Sequence, residues 1–210
     1  MIRAALAFLL LASPMALAAK SVPPRDECNG VQGANAFRLA LTTAVANRDE
    51  NMLAALAEPE VLLDFGGGSG RDTLMARLDD GDYELWQELD RLLLLGCAAG
   101  EDASSLTIPW LFAQDLGTED AFSTFVATGS AVPLRSAPDA GASVVATLDW
   151  DVVTMTGEWT DDAEFFPVRT ASGSAGFVAV TQLRSQVDYR LLAVRGDDGK
   201  FRINAFVAGD

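Results

Sequence analysis

Short apolar runs separated by turn-forming residues fill the stretch from residue 125 to residue 185, and they constrain the fold more than any other feature. Val144 and Val145 form one run, and others lie at residues 152–153, 165–168 and 176–180. Runs of this length between Pro, Gly, Asp and Ser are typical of β-strands. Since no helical period interrupts them, the stretch is predicted to form a small β-barrel.

The order of these runs matches a known domain pattern. Leu134-Arg135-Ser136-Ala137-Pro138 opens it, Val144 to Leu148 follows, and Phe165 to Val168 and Gly176-Phe177-Val178 close it before Leu183. In this order the residues resemble the bacterial SH3 (SH3b) domain, which implies an SH3-like β-barrel. Phe165 stands where that family usually has Trp, and Phe177 where it has Tyr.

The resemblance to SH3b domains implies a binding module for cell-wall peptides or for a partner protein of the cell envelope. Aromatic side chains would line the binding groove because they supply large contact area at low entropic cost. The candidates for ligand binding are Trp159, Phe165, Phe166 and Phe177. The alternative for each of the four is a place in the barrel core.

The first eighteen residues have the composition of a secretory signal peptide. Arg3 precedes an apolar run from Ala4 to Ala12, and small residues around Ala18 suit a cleavage site. An apolar run this short is not expected to span a bilayer. We therefore expect an exported, periplasmic protein, with residues 19–34 as a polar arm behind the cleavage site.

Cys28 and Cys97 are the two cysteines of the chain. An oxidising compartment favours a disulfide between them, and one pairing is available. The alternative is a pair of separate buried thiols.

The chain is acidic, with a formal net charge of −15. Nucleic acid and anionic membranes both require clustered Lys and Arg, so neither is expected as a partner. No segment after residue 18 is apolar enough to predict a membrane span.

The residues on either side of the barrel predict a mixed α+β domain. Before it, helical spacing or caps favour helices at residues 36–46, 49–56, 72–78 and 83–95, the second capped by Asp49 and stopped by Pro59. Asp82 and Gly96 would cap the last of these, and Ser69 with Asp72 would form a capping box before the third. A strand is predicted at residues 61–65.

A β-hairpin is predicted over residues 186–210, because alternating apolar residues flank a Gly-Asp-Asp-Gly loop. An isolated hairpin is unstable, so we expect it to pack back on residues 35–124 and to pair with the strand at 61–65. The barrel would then be inserted into, or appended to, an α+β domain. The order of these elements faintly resembles nuclear-transport-factor-2-like domains.

Residues suited to catalysis are scarce. The chain has no His, which excludes His-dependent triads and His metal ligands. Adjacent acids such as Asp79-Asp80 and Asp197-Asp198 lie in turn-like contexts typical of solvated carboxylates. No cofactor, metal site or enzymatic activity is therefore expected.

A second hypothesis places a small-molecule pocket in the α+β domain. Its walls would be Tyr83, Trp86, Trp110 and Phe112, with Asp64 or Arg71 orienting the ligand. The glycine run at residues 66–70 follows a predicted strand, but it lacks the Lys-Ser/Thr pair and the spacing of phosphate-binding loops.

Overall fold

The computed structural model describes residues 20–160 and 162–209, which form four α-helices and twelve β-strands. The helices are α1 (Ala34–Asn47), α2 (Glu50–Ala55), α3 (Arg71–Asp79) and α4 (Leu85–Leu93). The strands before the second sheet are β1 (Ala57–Leu62), β2 (Ala98–Ala99) and β3 (Ser105–Ile108). Then follow β4 (Thr124–Ala127), β5 (Val132–Arg135), β6 (Val144–Leu148), β7 (Val152–Met155), β8 (Phe165–Thr170), β9 (Ala175–Ala179), β10 (Leu183–Ser185), β11 (Arg190–Arg195) and β12 (Phe201–Val207).

The first sheet joins the two ends of the chain. Its strand order is β1-β12-β11-β3-β2, with β1 parallel to β12 and the hairpin β11–β12 between β1 and β3. The four helices pack their apolar faces against it, and Leu41, Leu89 and Phe206 lie in one shared core. The first sheet therefore contains β1 to β3 from before the second sheet and β11 and β12 from after it. The fold is mixed α+β with two sheets.

Pro59 lies inside β1, although the sequence predicts that it stops a helix and that the strand begins at residue 61. Both expectations are wrong for one reason: β1 is the edge strand of its sheet. Proline lacks an N–H group, and an edge strand has one side on which no donor is needed.

The second sheet has the order β10-β4-β7-β8-β9-β5-β6. A single 3-10 turn at Val180–Gln182 leads into β10. Leu134, Val153 and Val178 belong to the core on its inner face. Among the residues described, β6 and β10 are the edges of this sheet and do not pair with each other, so the strands form no closed barrel. The predicted SH3-like barrel is not confirmed.

Helix α4 begins two residues later than predicted and ends at Leu93. Its N-cap is Glu84, in a left-handed conformation (φ 48°), rather than Asp82. The predicted capping box of Ser69 is also wrong, because Gly70 occupies the N-cap of α3 and no side chain caps that helix. By contrast, the Asp49 side chain accepts a hydrogen bond from the Met52 N–H at 2.9 Å, as predicted for α2.

The N-terminal arm ties the two sheets together. The Val22 N–H donates to the carbonyl of Trp150, between β6 and β7 of the second sheet, at 2.9 Å. The Glu27 N–H donates to the carbonyl of Cys97, just before β2 of the first sheet, at 2.8 Å. The disulfide between Cys28 and Cys97, with Cα atoms 5.7 Å apart, confirms the predicted pairing and anchors the arm. Val22 also packs beside Trp110 in an apolar cluster between the sheets.

The predicted signal peptide at residues 1–18 lies outside the described residues. Among the helices that the structure does describe, none has the length and hydropathy of a membrane span.

The glycine loop after β1 encloses a carboxylate. Asp64 Oδ1 accepts hydrogen bonds from the N–H groups of Gly66, at 2.7 Å, and Gly68, at 2.8 Å. Arg77 donates to the other oxygen of the same side chain. A Cβ on Gly68 would lie 2.1 Å from Asp64 Oδ2 and 2.2 Å from Arg77 Nη2, so a larger residue there would displace this ion pair. These loop amides are bound to an internal anion, which leaves no support for a phosphate site.

Replacing Asp64 with Asn should remove one component of acid unfolding. Hydrogen bonds from Arg77 and Gly68 lower the pKa of Asp64 from 3.8 to about 2. A lowered folded-state pKa means that its stabilisation is present above the unfolded pKa and is lost as the pH falls from 3.8 towards about 2. Circular dichroism of Asp64→Asn should show a shallower loss of stability in this window. The exposed Asp79→Asn should follow the wild type, and identical titrations for all three proteins would contradict this account.

Candidate functional site

A cleft of about 920 Å³ separates the end of α4 from the second sheet. One wall comes from α4 and the residues after it, and the other from β4, β8, β10 and the segment between β7 and β8. Its apolar lining includes Leu94, Leu95, Phe125, Trp150, Trp159 and Phe166. The volume falls within the usual range of small-molecule pockets.

Three aromatic rings form one side of the cleft. The Trp159 ring stacks on Phe125, with centroids 6.2 Å apart and planes at 11°, and its centroid lies 4.4 Å from that of Phe166. Phe125 and Phe166 are buried because they sit on strands of the second sheet, whereas Trp159 is 53 % exposed in the segment between β7 and β8. The cleft therefore presents an aromatic surface supported from beneath by core residues.

Four charged side chains form a third wall, where α4 meets β10. Arg184 of β10 is 4 % exposed and reaches Asp188 at 3.4 Å and Glu88 of α4 at 3.8 Å. Arg91 donates to the other oxygen of Glu88, and Arg184 also donates to the Tyr189 carbonyl at 2.5 Å. Within the described chain, Glu88 Oε2 and Arg184 Nε are buried without a hydrogen-bond partner. This wall links the helical layer to the second sheet through paired charges.

Burial shifts the ionisation of both central groups. Desolvation, followed by repulsion from Asp188, raises the pKa of Glu88. Desolvation also lowers the pKa of Arg184, against the attraction of Asp188 and Glu88. Both shifts have the sign expected for charges that are withdrawn from water and incompletely compensated.

The four predicted ligand-binding aromatics divide between two faces of the sheet. Trp159 and Phe166 line the cleft. Phe165 precedes Phe166 on β8, and Pro167 pairs with Phe177 of β9. Because side chains alternate along a strand, Phe165 and Phe177 lie on the other face. The structure brings two of the four residues to one site and leaves their role in binding untested.

The residues of the second predicted pocket lie elsewhere. Tyr83 and Trp86 sit under the guanidinium groups of Arg77 and Arg48, respectively, and do not line the cleft. Buried Trp110 packs between the sheets and donates to Glu27 at 2.7 Å, because its indole N–H needs an acceptor away from water.

The remaining three residues of that prediction also have structural neighbours. Phe112 borders a separate cavity of about 230 Å³ beside Arg190. Asp64 is held by Arg77, and Arg71 donates to the Ala57 carbonyl. Among the residues described, no group of three or more acidic or cysteine side chains is arranged to hold a metal ion.

Glu88, Arg184 and Leu94 belong to the cleft but were not predicted from the sequence. The apolar run through residues 92–95 was a signal, because a helix cannot bury four consecutive side chains on one face. Of these four side chains, that of Leu94 points to solvent and is 81 % exposed. Arg184 is the one charged residue of the short strand β10, which is a weaker signal for a buried charge.

No family model matches this chain, and no curated protein matches it. Among solved structures it is similar to a ketosteroid isomerase-like protein from Erwinia carotovora atroseptica SCRI1043, with 12 % identity and a TM-score of 0.30. The alignment covers 85 % of this chain and 94 % of that one. At this level of similarity no conclusion about shared structure or activity follows.

Proposed function

We propose that the protein is an exported, non-catalytic binding or scaffold protein whose cleft receives an apolar group of a ligand or partner. The supporting observation is the pair of exposed apolar side chains, Leu94 and Trp159, that border one aromatic-lined depression. Large apolar side chains that remain in water around a concave surface are typical of interaction sites.

In this proposal the second sheet is an SH3-like module that binds cell-wall peptides or an envelope protein. Support comes from the SH3b-type sequence pattern between Leu134 and Leu183. Purified peptidoglycan should retain the exported chain more strongly than a control protein of equal size and net charge. Equal retention of the two would count against the cell-wall version.

A small-molecule-binding protein is the second candidate, with the second sheet as one wall of the pocket. The volume of about 920 Å³ is large enough to enclose most of a small ligand. Binding of a small apolar ligand together with no retention on peptidoglycan beyond that of the control would favour this candidate over the cell-wall one.

Naphthylmethanol, an uncharged apolar probe, should bind the cleft with an affinity that calorimetry can measure. Leu94→Ser and Trp159→Ala should each weaken this binding by roughly three- to tenfold, the scale of one lost apolar contact. Leu39→Ser is the matched control, because Leu39 is 70 % exposed on α1 and does not line the cleft.

Equal losses for Leu94→Ser and Leu39→Ser would place the binding outside the cleft. Absence of binding to the wild type would overturn the proposed function. Thermal unfolding of Leu94→Ser and of Leu39→Ser should match the wild type within a few degrees, since both leucines are exposed surface residues.

A further inference from the structure

We propose that residues 20–28 of the N-terminal arm form a strap that sets the width of the cleft, so that ligand affinity depends on the intact Cys28–Cys97 disulfide. This inference rests on the proposed function and adds the control of the binding site to it. The observation that carries it is the position of the two anchors of the strap. One lies beside the end of α4 and the other at Trp150, on two different sides of the cleft.

The first anchor holds the strap beside the wall that α4 provides. Cys97 lies two residues after Leu95, which lines the cleft, and the Cys97 N–H donates to the Arg25 carbonyl at 2.9 Å. The Cys97 carbonyl accepts from the Glu27 N–H at 2.8 Å, and the disulfide closes the same contact. A Cβ on Gly96 would lie 2.1 Å from the Arg25 carbonyl oxygen. The strap therefore approaches this wall as closely as a glycine permits.

The second anchor holds the strap on the second sheet. The Val22 N–H donates at 2.9 Å to the carbonyl of Trp150, a residue that lines the cleft. The Ser21 hydroxyl donates to the carbonyl of Asp149, the preceding residue, at 2.6 Å. Val22 is 4 % exposed, so its side chain is packed as well as its backbone bonded. These contacts attach the strap to the turn that carries Trp150.

A stiff segment joins the two anchors. Pro23 and Pro24 are the residues between Val22 and Arg25. Each prolyl ring fixes its own φ at about −65°, and a residue that precedes proline is restricted to extended conformations. Consecutive prolines act as a semi-rigid spacer of about 3 Å per residue rather than as a flexible linker. The spacer therefore holds the two anchors at one separation.

The strap and the charged wall tie the helical layer to the second sheet at different points along α4. Glu88, near the start of α4, meets Arg184 of β10 at 3.8 Å, whereas the strap lies beyond the end of the helix. The apolar cluster between the sheets includes Val22, so it depends on the strap as well. Release of the strap should let Leu95 move away from Trp150. The fraction of molecules with a closed cleft would then fall, and the apparent dissociation constant would rise.

Reduction of the wild-type disulfide releases the first anchor without any substitution. A dithiol such as dithiothreitol transfers two electrons and two protons to the sulfurs of Cys28 and Cys97 and becomes a cyclic disulfide itself. Calorimetry should then give roughly three- to tenfold weaker binding of naphthylmethanol, as expected if the closed cleft falls to between about a third and a tenth of the population. Because coupling is reciprocal, saturating naphthylmethanol should lower the equilibrium constant for reduction by the same factor.

The double variant Pro23→Gly with Pro24→Gly separates stiffness from anchoring. It keeps the disulfide and the hydrogen bonds of both anchors, because proline has no N–H to lose. A Gly-Gly spacer is flexible, so naphthylmethanol should bind roughly threefold more weakly. Pro138→Gly is the matched control and should leave the affinity unchanged. It loosens the unfolded chain in a similar way, but Pro138 is exposed in the loop between β5 and β6, outside the cleft lining.

The outcomes separate the two proposals. If naphthylmethanol binds the wild type, the reduced protein and the double variant equally well, the inference is overturned and the proposed function stands. Equal losses in the double variant and in Pro138→Gly would also overturn the inference, because the loss would then not depend on the strap. Absence of binding to the wild type would overturn both. Circular dichroism checks that each form is folded, and Pro23→Gly alone, at an exposed position, replaces the double variant if that one unfolds.

Discussion

Replacing both Cys28 and Cys97 with Ser should lower the free energy of unfolding by about 4 kcal/mol in the chain-entropy model. The disulfide closes a loop with a sequence separation of 69, so its loss releases a large number of unfolded conformations. Both cysteines are fully buried, and two serines leave polar groups in that apolar site. Denaturant unfolding under oxidising conditions measures the difference.

The same double variant should loosen the N-terminal arm before the rest of the protein. Val22 N–H and Val152 N–H are hydrogen-bonded between the arm and the second sheet, so they should exchange faster with solvent. Reduction of the wild-type disulfide is the matched control and should reproduce most of the effect. A variant as stable as the wild type, with unchanged exchange at these amides, would contradict the anchoring role of the disulfide.

Arg184→Met should destabilise the fold by about 3–5 kcal/mol, the usual cost of removing one partner from a buried ion pair. The change leaves Glu88 and Asp188 as neighbouring carboxylates without the cation between them. Arg91→Met is the matched control, because the Arg91 side chain is 58 % exposed and its pair with Glu88 should contribute less than about 1 kcal/mol. Denaturant unfolding of the two variants gives the comparison.

The cost of Arg184→Met should depend on pH. The pKa of Glu88 is raised above its ordinary value of 4.5, so the folded state binds its proton more tightly than the unfolded state does. Stability associated with Glu88 is therefore present below that value and falls as the pH rises through the folded-state pKa. Without Arg184 this decline should be larger and should extend to higher pH, and equal pH profiles for variant and wild type would contradict the buried network.

Elements governed by local chemistry could be predicted from the sequence. The Asp49 cap, the disulfide pairing and the loop between β11 and β12 depend on residue types and spacing that the chain displays directly. The start of β1 could not be predicted. A proline such as Pro59 is compatible with an edge strand but not with a central one. Whether β1 lies at the edge depends on its pairing with β12, which is far along the chain.

The cleft could be predicted only in part. The sequence identifies Trp159 and Phe166 as candidates, yet it also proposes Phe165 and Phe177. The alternation of side chains along β8 would have separated Phe165 from Phe166, once the strand itself was assigned. The charged wall requires α4 to face β10, and nothing local in the sequence of either element specifies that Glu88 meets Arg184.

The most direct test of the cleft as the binding site uses the four tryptophan indole N–H signals in a nuclear magnetic resonance titration with naphthylmethanol. Trp150 and Trp159 line the cleft, whereas Trp86 and Trp110 do not. The account predicts that the signals of Trp150 and Trp159 shift with one common affinity while those of Trp86 and Trp110 stay in place. Shifts confined to Trp86 or Trp110, or equal in all four, would contradict it.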